Sequence, residues 1–117
     1  MGLTLPRGER LRRSAEFQAV FQQGSRLERP SFVALWRRGT ARRVGFAVSR
    51  QLRGAVQRNR ARRRVREAYR QVRALIAGDI ELVVVARPSA ATRPFPELVA
   101  DMRRLAEGLA RAARAGS

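Results

Sequence analysis

The chain has 117 residues, enough for one domain with a modest core, and 44% of them are hydrophobic, which excludes a disordered chain. It contains no cysteine and no histidine, so disulfides, thiolate chemistry, zinc sites built on those ligands and histidine acid–base catalysis are excluded. The formal net charge is +17 and all 26 basic residues are arginine; a surplus of that size repels itself and implies a polyanionic partner.

Residues 1–13 read as a basic N-terminal arm that orders on its partner. Pro6 and Gly8 oppose regular structure there, while Arg7, Arg10, Arg12 and Arg13 supply charge. The start lacks the continuous apolar stretch of a secretory signal, and no apolar run reaches the ~20 residues of a membrane span. A cytoplasmic location without membrane contact is therefore expected. A single domain is expected over 14–115. It opens with a short helix: Ser14 as N-cap, Glu16 in the first turn, Phe17, Val20 and Phe21 at helical spacing, and Gly24 as the stop.

Ser31–Arg37 is a strand candidate behind Pro30, with Phe32, Ala34 and Trp36 on one face and Val33 and Leu35 on the other. Val44–Ser49 is a second. The short polar link around Gly39 predicts that the two pair as an antiparallel hairpin.

The next stretch dominates the chain. Eight arginines fall between Arg58 and Arg73, opposed only by Glu67. Val65, Ala68, Tyr69, Val72, Leu75 and Ile76 recur on one helix face, while Arg60, Arg63, Glu67 and Arg70 project from the other side. Arg58 and Arg62 flank the apolar edge. A solvated face normally mixes signs, whereas Arg60, Arg63 and Arg64 crowd one another at a cost to the helix. Nucleic acid would relieve that cost. The helix is expected to end near Ala77, with Gly78 beyond it.

Ile80–Ala86 is the most apolar strand and is expected at the centre of the sheet. Pro94 and Pro96 frame a last helix carrying Leu98, Met102, Leu105, Leu109 and Ala112 on one side, and residues 113–117 are expected to fray. The order of elements predicts an α+β fold with helices packed on one sheet. The nine carboxylates make no tight pair. Glu97 and Asp101 stand four apart, but acids near a helix start are favoured by the dipole alone. No catalytic residue and no metal ligand set is expected in the protein itself.

Arg58-Asn59-Arg60-Ala61-Arg62-Arg63-Arg64-Val65-Arg66 resembles the RNR motif of the bacterial ribonuclease P protein subunit family. Arg10–Phe17, Arg43–Ser49 and Ile80–Arg87 resemble its matching segments, in the same order. Two positions depart from the pattern: Ala61 replaces a branched apolar residue, and Arg53-Gly54 replaces Gly-Asn. The resemblance implies a single-domain αβββαβα sandwich on a small mixed sheet. It also implies a further strand around Gln23–Arg29 and a left-handed βαβ crossover holding the arginine helix. It further implies a protein subunit of an endoribonuclease that removes the 5′ leader of precursor tRNA, with cleavage and its magnesium ions carried by the RNA subunit. The partners are then that catalytic RNA and precursor tRNA, not DNA, and the protein alone binds no cofactor.

By the same resemblance, the catalytic RNA meets Arg53, Arg58, Asn59, Arg60, Arg62, Arg63, Arg64, Arg66 and Arg70. The leader lies in a cleft with Arg12, Phe17, Phe21, Leu35, Trp36 and Arg50. Two alternatives stay open on the residues alone. Phe17 and Phe21 suit a core as well as a stacking surface, and Asn59 suits a cap or core hydrogen bond as well as RNA. The rival function is a ribosomal or other structural RNA-binding protein of this fold. A DNA-binding helix–turn–helix fits less well, because strands surround the basic helix.

Overall fold

Ile80, Leu82, Val84 and Ala86 alternate along one strand with Glu81, Val83 and Val85, and the apolar members of both sets are buried or half-buried. A strand apolar on both faces needs cover on both, which places it inside the sheet. The computed structural model describes residues 14–76 and 78–115, with the backbone alone at 14–16, 114 and 115. The expected N-terminal arm, the capping by Ser14 and Glu16, and the final residues of the tail lie outside the described residues.

Helix α1 spans Ser14–Gln23 and is followed by the strands β1, Ser25–Glu28, β2, Phe32–Arg38, and β3, Arg43–Val48. The long helix α2, Ala55–Val72, continues into a 3-10 turn at Arg73–Leu75. Strand β4, Ile80–Ala86, a second 3-10 turn at Pro88–Ala91 and helix α3, Phe95–Ala115, complete the chain. No described helix is long and apolar enough to cross a membrane.

The sheet runs β1-β2-β4-β3. β1 pairs antiparallel with β2, β2 antiparallel with β4, and β3 parallel with β4. The expected hairpin is therefore corrected. β2 and β3 do run in opposite directions, but β4 lies between them. The link after Arg38 steps over one strand, a span of about 10 Å that its few residues cover easily. Shortness of a link limits the distance it can bridge, not the identity of the neighbour. Helix α2 occupies the β3–β4 crossover, the place expected for it.

Register sends Phe32, Ala34, Leu82, Val84 and Ala86 to one side of the sheet, where α2 and α3 cover them. From α2 come Ala61, Val65, Ala68, Tyr69 and Val72, and from α3 come Leu98, Met102, Leu105, Ala106 and Leu109. Phe46 of β3 meets Tyr69 edge to face, with ring centroids 5.6 Å apart. Among the described residues, the opposite side carries a small cluster, Val20 of α1 on Leu35 and Val83, with Phe17 and Val85 beside it. α1 ends where Gly24 N–H donates to the Val20 carbonyl at 2.8 Å. A Cβ at Gly24 would stand 2.5 Å from that oxygen and 2.8 Å from the Trp36 carbonyl, so glycine permits the turn into β1.

Leu75 departs from its expected burial. α2 stops at Val72 and the 3-10 turn changes the angular step, so Leu75 swings out to 62% exposure while Ile76 stays buried.

Candidate nucleic-acid interface

Gly54 adopts φ 88°, a left-handed conformation that suits glycine, and its carbonyl receives the Arg58 N–H at 3.0 Å as α2 begins. Five positions of α2, from Ala61 to Val72, are buried against the sheet and α3. Its arginines are distributed around the remaining circumference.

They divide into two groups. The first group is tied to backbone carbonyls. Arg58 Nη1 donates to the carbonyls of Ser49 at 3.0 Å and Leu52 at 2.9 Å, which braces the loop before the helix. Arg60 Nε donates to the Ala91 carbonyl at 2.7 Å. Arg64 reaches the Ala90 carbonyl at 2.7 Å and the Arg93 carbonyl through its other terminal nitrogen. Burial first, and the adjacent Arg60 second, hold Arg64 below the ordinary guanidinium range. Arg60 is exposed on the far side of the helix, as its angular position suggested, but the turn at Pro88–Ala91 holds its Nε.

The second group faces outward. Arg53, Arg63 and Arg66 make no hydrogen bond or ion pair with any described residue, and Arg53 and Arg63 are exposed. Arg62 donates to Asn59 Oδ1 at 3.2 Å. Asn59 is itself exposed and so serves neither as a core hydrogen bond nor as the helix cap. Arg70 pairs with Glu67 at 2.7 Å, one turn back along α2. Carbonyl dipoles steady Arg58, Arg60 and Arg64 without cancelling their charge, so this flank keeps a large positive surplus.

A second open surface lies on the thinly covered face of the sheet. Phe17 is half-buried on the Val20, Leu35 and Val83 cluster, while Phe21, one turn on, is 44% exposed. Leu35 is buried there as expected of its face. Trp36 is not brought together with them: alternation along β2 turns it to the α3 side, where it packs on the main core near Leu109 and Ala113. Arg12 lies outside the described residues. At the other end of β2 from the Gly24 turn, the same face opens into a groove of about 410 Å³, lined by Arg26, Val33, Ser49, Gln51, Val85 and Arg87. Arg50 is exposed on the loop that supplies Ser49 and Gln51.

Sequence reasoning missed Arg26, Val33, Val85 and Arg87 as site residues. Alternation places Arg87 on the Val85 face and Arg26 opposite Leu35, but only the strand order puts them beside one another. Glu28 sits between the two cations, 2.6 Å from Arg26 and 3.4 Å from Arg87. The hydrogen bond and charge of Arg26, with Arg87 adding less, hold its carboxyl below the ordinary glutamate range.

Other carboxylates are also held by arginines. Glu81 meets Arg37 at 2.5 Å, and Glu97 and Asp101 share Arg93, each at 2.7 Å. No group of three or more metal-ligating side chains occurs among the described residues. The chemistry offered is recognition of phosphate by guanidinium and of bases by an exposed aromatic ring.

The family model described as "Ribonuclease P" matches residues 5–110. The chain is similar to the "Ribonuclease P protein component" of Symbiobacterium thermophilum, 45% identical over 92 residues that span 76% of this chain and 80% of that one. It is likewise similar to the protein of that description from Chloroflexus aurantiacus, 44% identical over 103 residues, or 85% and 76% of the two chains. The solved RNase P protein from Thermotoga maritima superposes with a TM-score of 0.72 at 29% identity, covering 83% of this chain and 94% of that one.

Proposed function

The chain belongs to the ribonuclease P protein family, and on that premise we propose that its two open surfaces hold two different RNAs. Its function is that of the protein component of ribonuclease P, the endoribonuclease of precursor tRNA 5′ maturation. The arginine flank of α2 binds the catalytic RNA. Arg53, Arg62, Arg63 and Arg66 make direct phosphate contacts, and Arg58, Arg60 and Arg64 contribute field from fixed positions. The face that carries α1, with Phe21 exposed on the helix and Arg26 and Arg87 lining the groove, receives the single-stranded 5′ leader.

The observation that carries the first half is that Arg63 and Arg66 have no partner among the described residues, on a helix whose other side is packed. A phosphate backbone supplies what the fold does not, and each phosphate neutralised releases counterion. The second half rests on a half-exposed aromatic beside cations, the usual means of holding single strands without sequence choice.

The carboxylates that face cations among the described residues do not suit magnesium. Glu28, Glu67, Glu81, Glu97 and Asp101 are all occupied by arginines, and strong positive potential disfavours a divalent cation. The metal and the hydrolytic step are assigned to the RNA, and the work to the cytoplasm, where precursor tRNA is made. The test is to mix the full chain with the ribonuclease P RNA at low magnesium and follow cleavage of precursor tRNA with and without a leader of several nucleotides. Stimulation that depends on the leader is expected; no stimulation of either substrate overturns the reading.

A further inference from the structure

The turn at Pro88–Ala91 has no charge of its own, yet its carbonyls and that of Arg93 receive Arg60 and Arg64. A carboxylate on the far side anchors it. Asp101 of α3 is only 6% exposed, and its Oδ2 accepts from the Ser31 N–H at 3.2 Å, the Ser31 hydroxyl at 2.7 Å and Arg93 Nη1 at 2.7 Å. Ser31 is fully buried at the entry to β2. Arg93 also sets Nε and Nη2 on Glu97 Oε1, at 3.1 and 2.7 Å. The Arg93 side chain is thereby fixed to α3 and β2 while its carbonyl oxygen holds α2.

Dipole preference accounts for Glu97 in the first turn of α3, but not for Asp101 beyond it. A buried carboxylate is costly unless it is paired and hydrogen-bonded, and here it is both. Where α2 meets the turn, the buried residues are Ala61, Ala90 and Ala91. Small side chains interlock weakly, so the guanidinium–carbonyl bonds fix the part of α2 near the turn, adding to the hold of Val65, Tyr69 and Val72 farther along.

We infer that Asp101 is a positioning residue for the RNA-facing side of α2. Through Arg93 it fixes the turn that holds Arg60 and Arg64, and so sets the angle at which Arg63 and Arg66 are presented. This rests on the RNA-binding reading of α2. It gives Asp101 a task at a distance from RNA, exercised through Arg60 and Arg64.

The test is a double-mutant cycle on the full chain, measuring affinity for the ribonuclease P RNA. Asp101→Asn keeps the shape and an acceptor for Ser31 but removes the charge facing Arg93. It is expected to weaken binding about fivefold in the native background and to have no further effect in an Arg60→Ala, Arg64→Ala background, where both ties to the turn are gone. Equal weakening in both backgrounds, or none in the native one, overturns the inference. If circular dichroism shows Asp101→Asn unfolded, Arg93→Lys replaces it in the same two backgrounds with the same expectation. A parallel Arg63→Ala, Arg66→Ala protein tests the premise: undiminished binding there defeats the RNA-face reading itself. Weakened binding there with no effect of Asp101→Asn defeats the positioning role alone.

Discussion

The two sides of the sheet are built to different standards. On one, α2 and α3 close over Phe32, Leu82 and Val84, and the buried cluster extends from Ile76 to Leu109. On the other, among the described residues, α1 covers Leu35 and Val83 through Val20, while Val33 and Val85 stay half-buried beside Arg26 and Arg87. The thick side supplies stability, which frees the thin side to expose apolar and cationic groups together. The same division recurs around α2: its inner face is core, three arginines brace neighbouring backbone, and the outer ones are left for a partner.

The largest effect should come from the thick side. Leu105→Ala is expected to cost about 2–5 kcal/mol, read as a lower urea midpoint at unchanged slope. Val20→Ala on the thin side should cost about 1–2 kcal/mol; equal losses would erase the contrast. Next, Arg63→Ala with Arg66→Ala should leave the unfolding midpoint nearly unchanged while weakening RNA binding. The salt slope should fall by about one for each phosphate that is no longer neutralised. A fall in stability instead would mean that these side chains brace the fold as Arg58 does.

Phe21→Ala should reduce leader-dependent affinity by about 1–3 kcal/mol, with little change for a leaderless substrate. Phe17→Ala, by contrast, should also lower stability, because Phe17 packs on the Val20 cluster. The smallest effect concerns Glu28. Its folded carboxyl is held low by Arg26, so the stability it adds is present above the unfolded glutamate pKa and is lost as pH falls through the lower folded value. A carboxyl titration by NMR should place Glu28 below the ordinary glutamate value, and Arg26→Ala should move it back up.

Local pattern accounts for much of what could be read in advance. The buried face of α2, the bounds of α1, β2, β3 and β4, and the pair Glu97 and Asp101 on α3 all follow from spacing within a few residues. The resemblance placed β1, a strand too short and polar to announce itself. What could not be read was non-local. The neighbour of β2 is decided by β4, far along the chain. The carbonyls that take Arg60 and Arg64 lie 31 and 26 residues away. The groove residues Arg26 and Arg87 meet only because β1, β2 and β4 stand in that order. Trp36 shows the reverse case: alternation already assigned it to the α3 side, against its inclusion with the leader-binding set.

The placement of β4 also orders events during synthesis. The middle of the sheet is made after both strands that flank it, so β2 and β3 emerge from the ribosome with no partner between them. α2, lying in the connection just upstream, has only β3 of its final sheet contacts until that late segment slots in. The growing chain thus cannot display its cationic helix in final form before the strand behind it has been translated, which ties competence for assembly to completion of the fold.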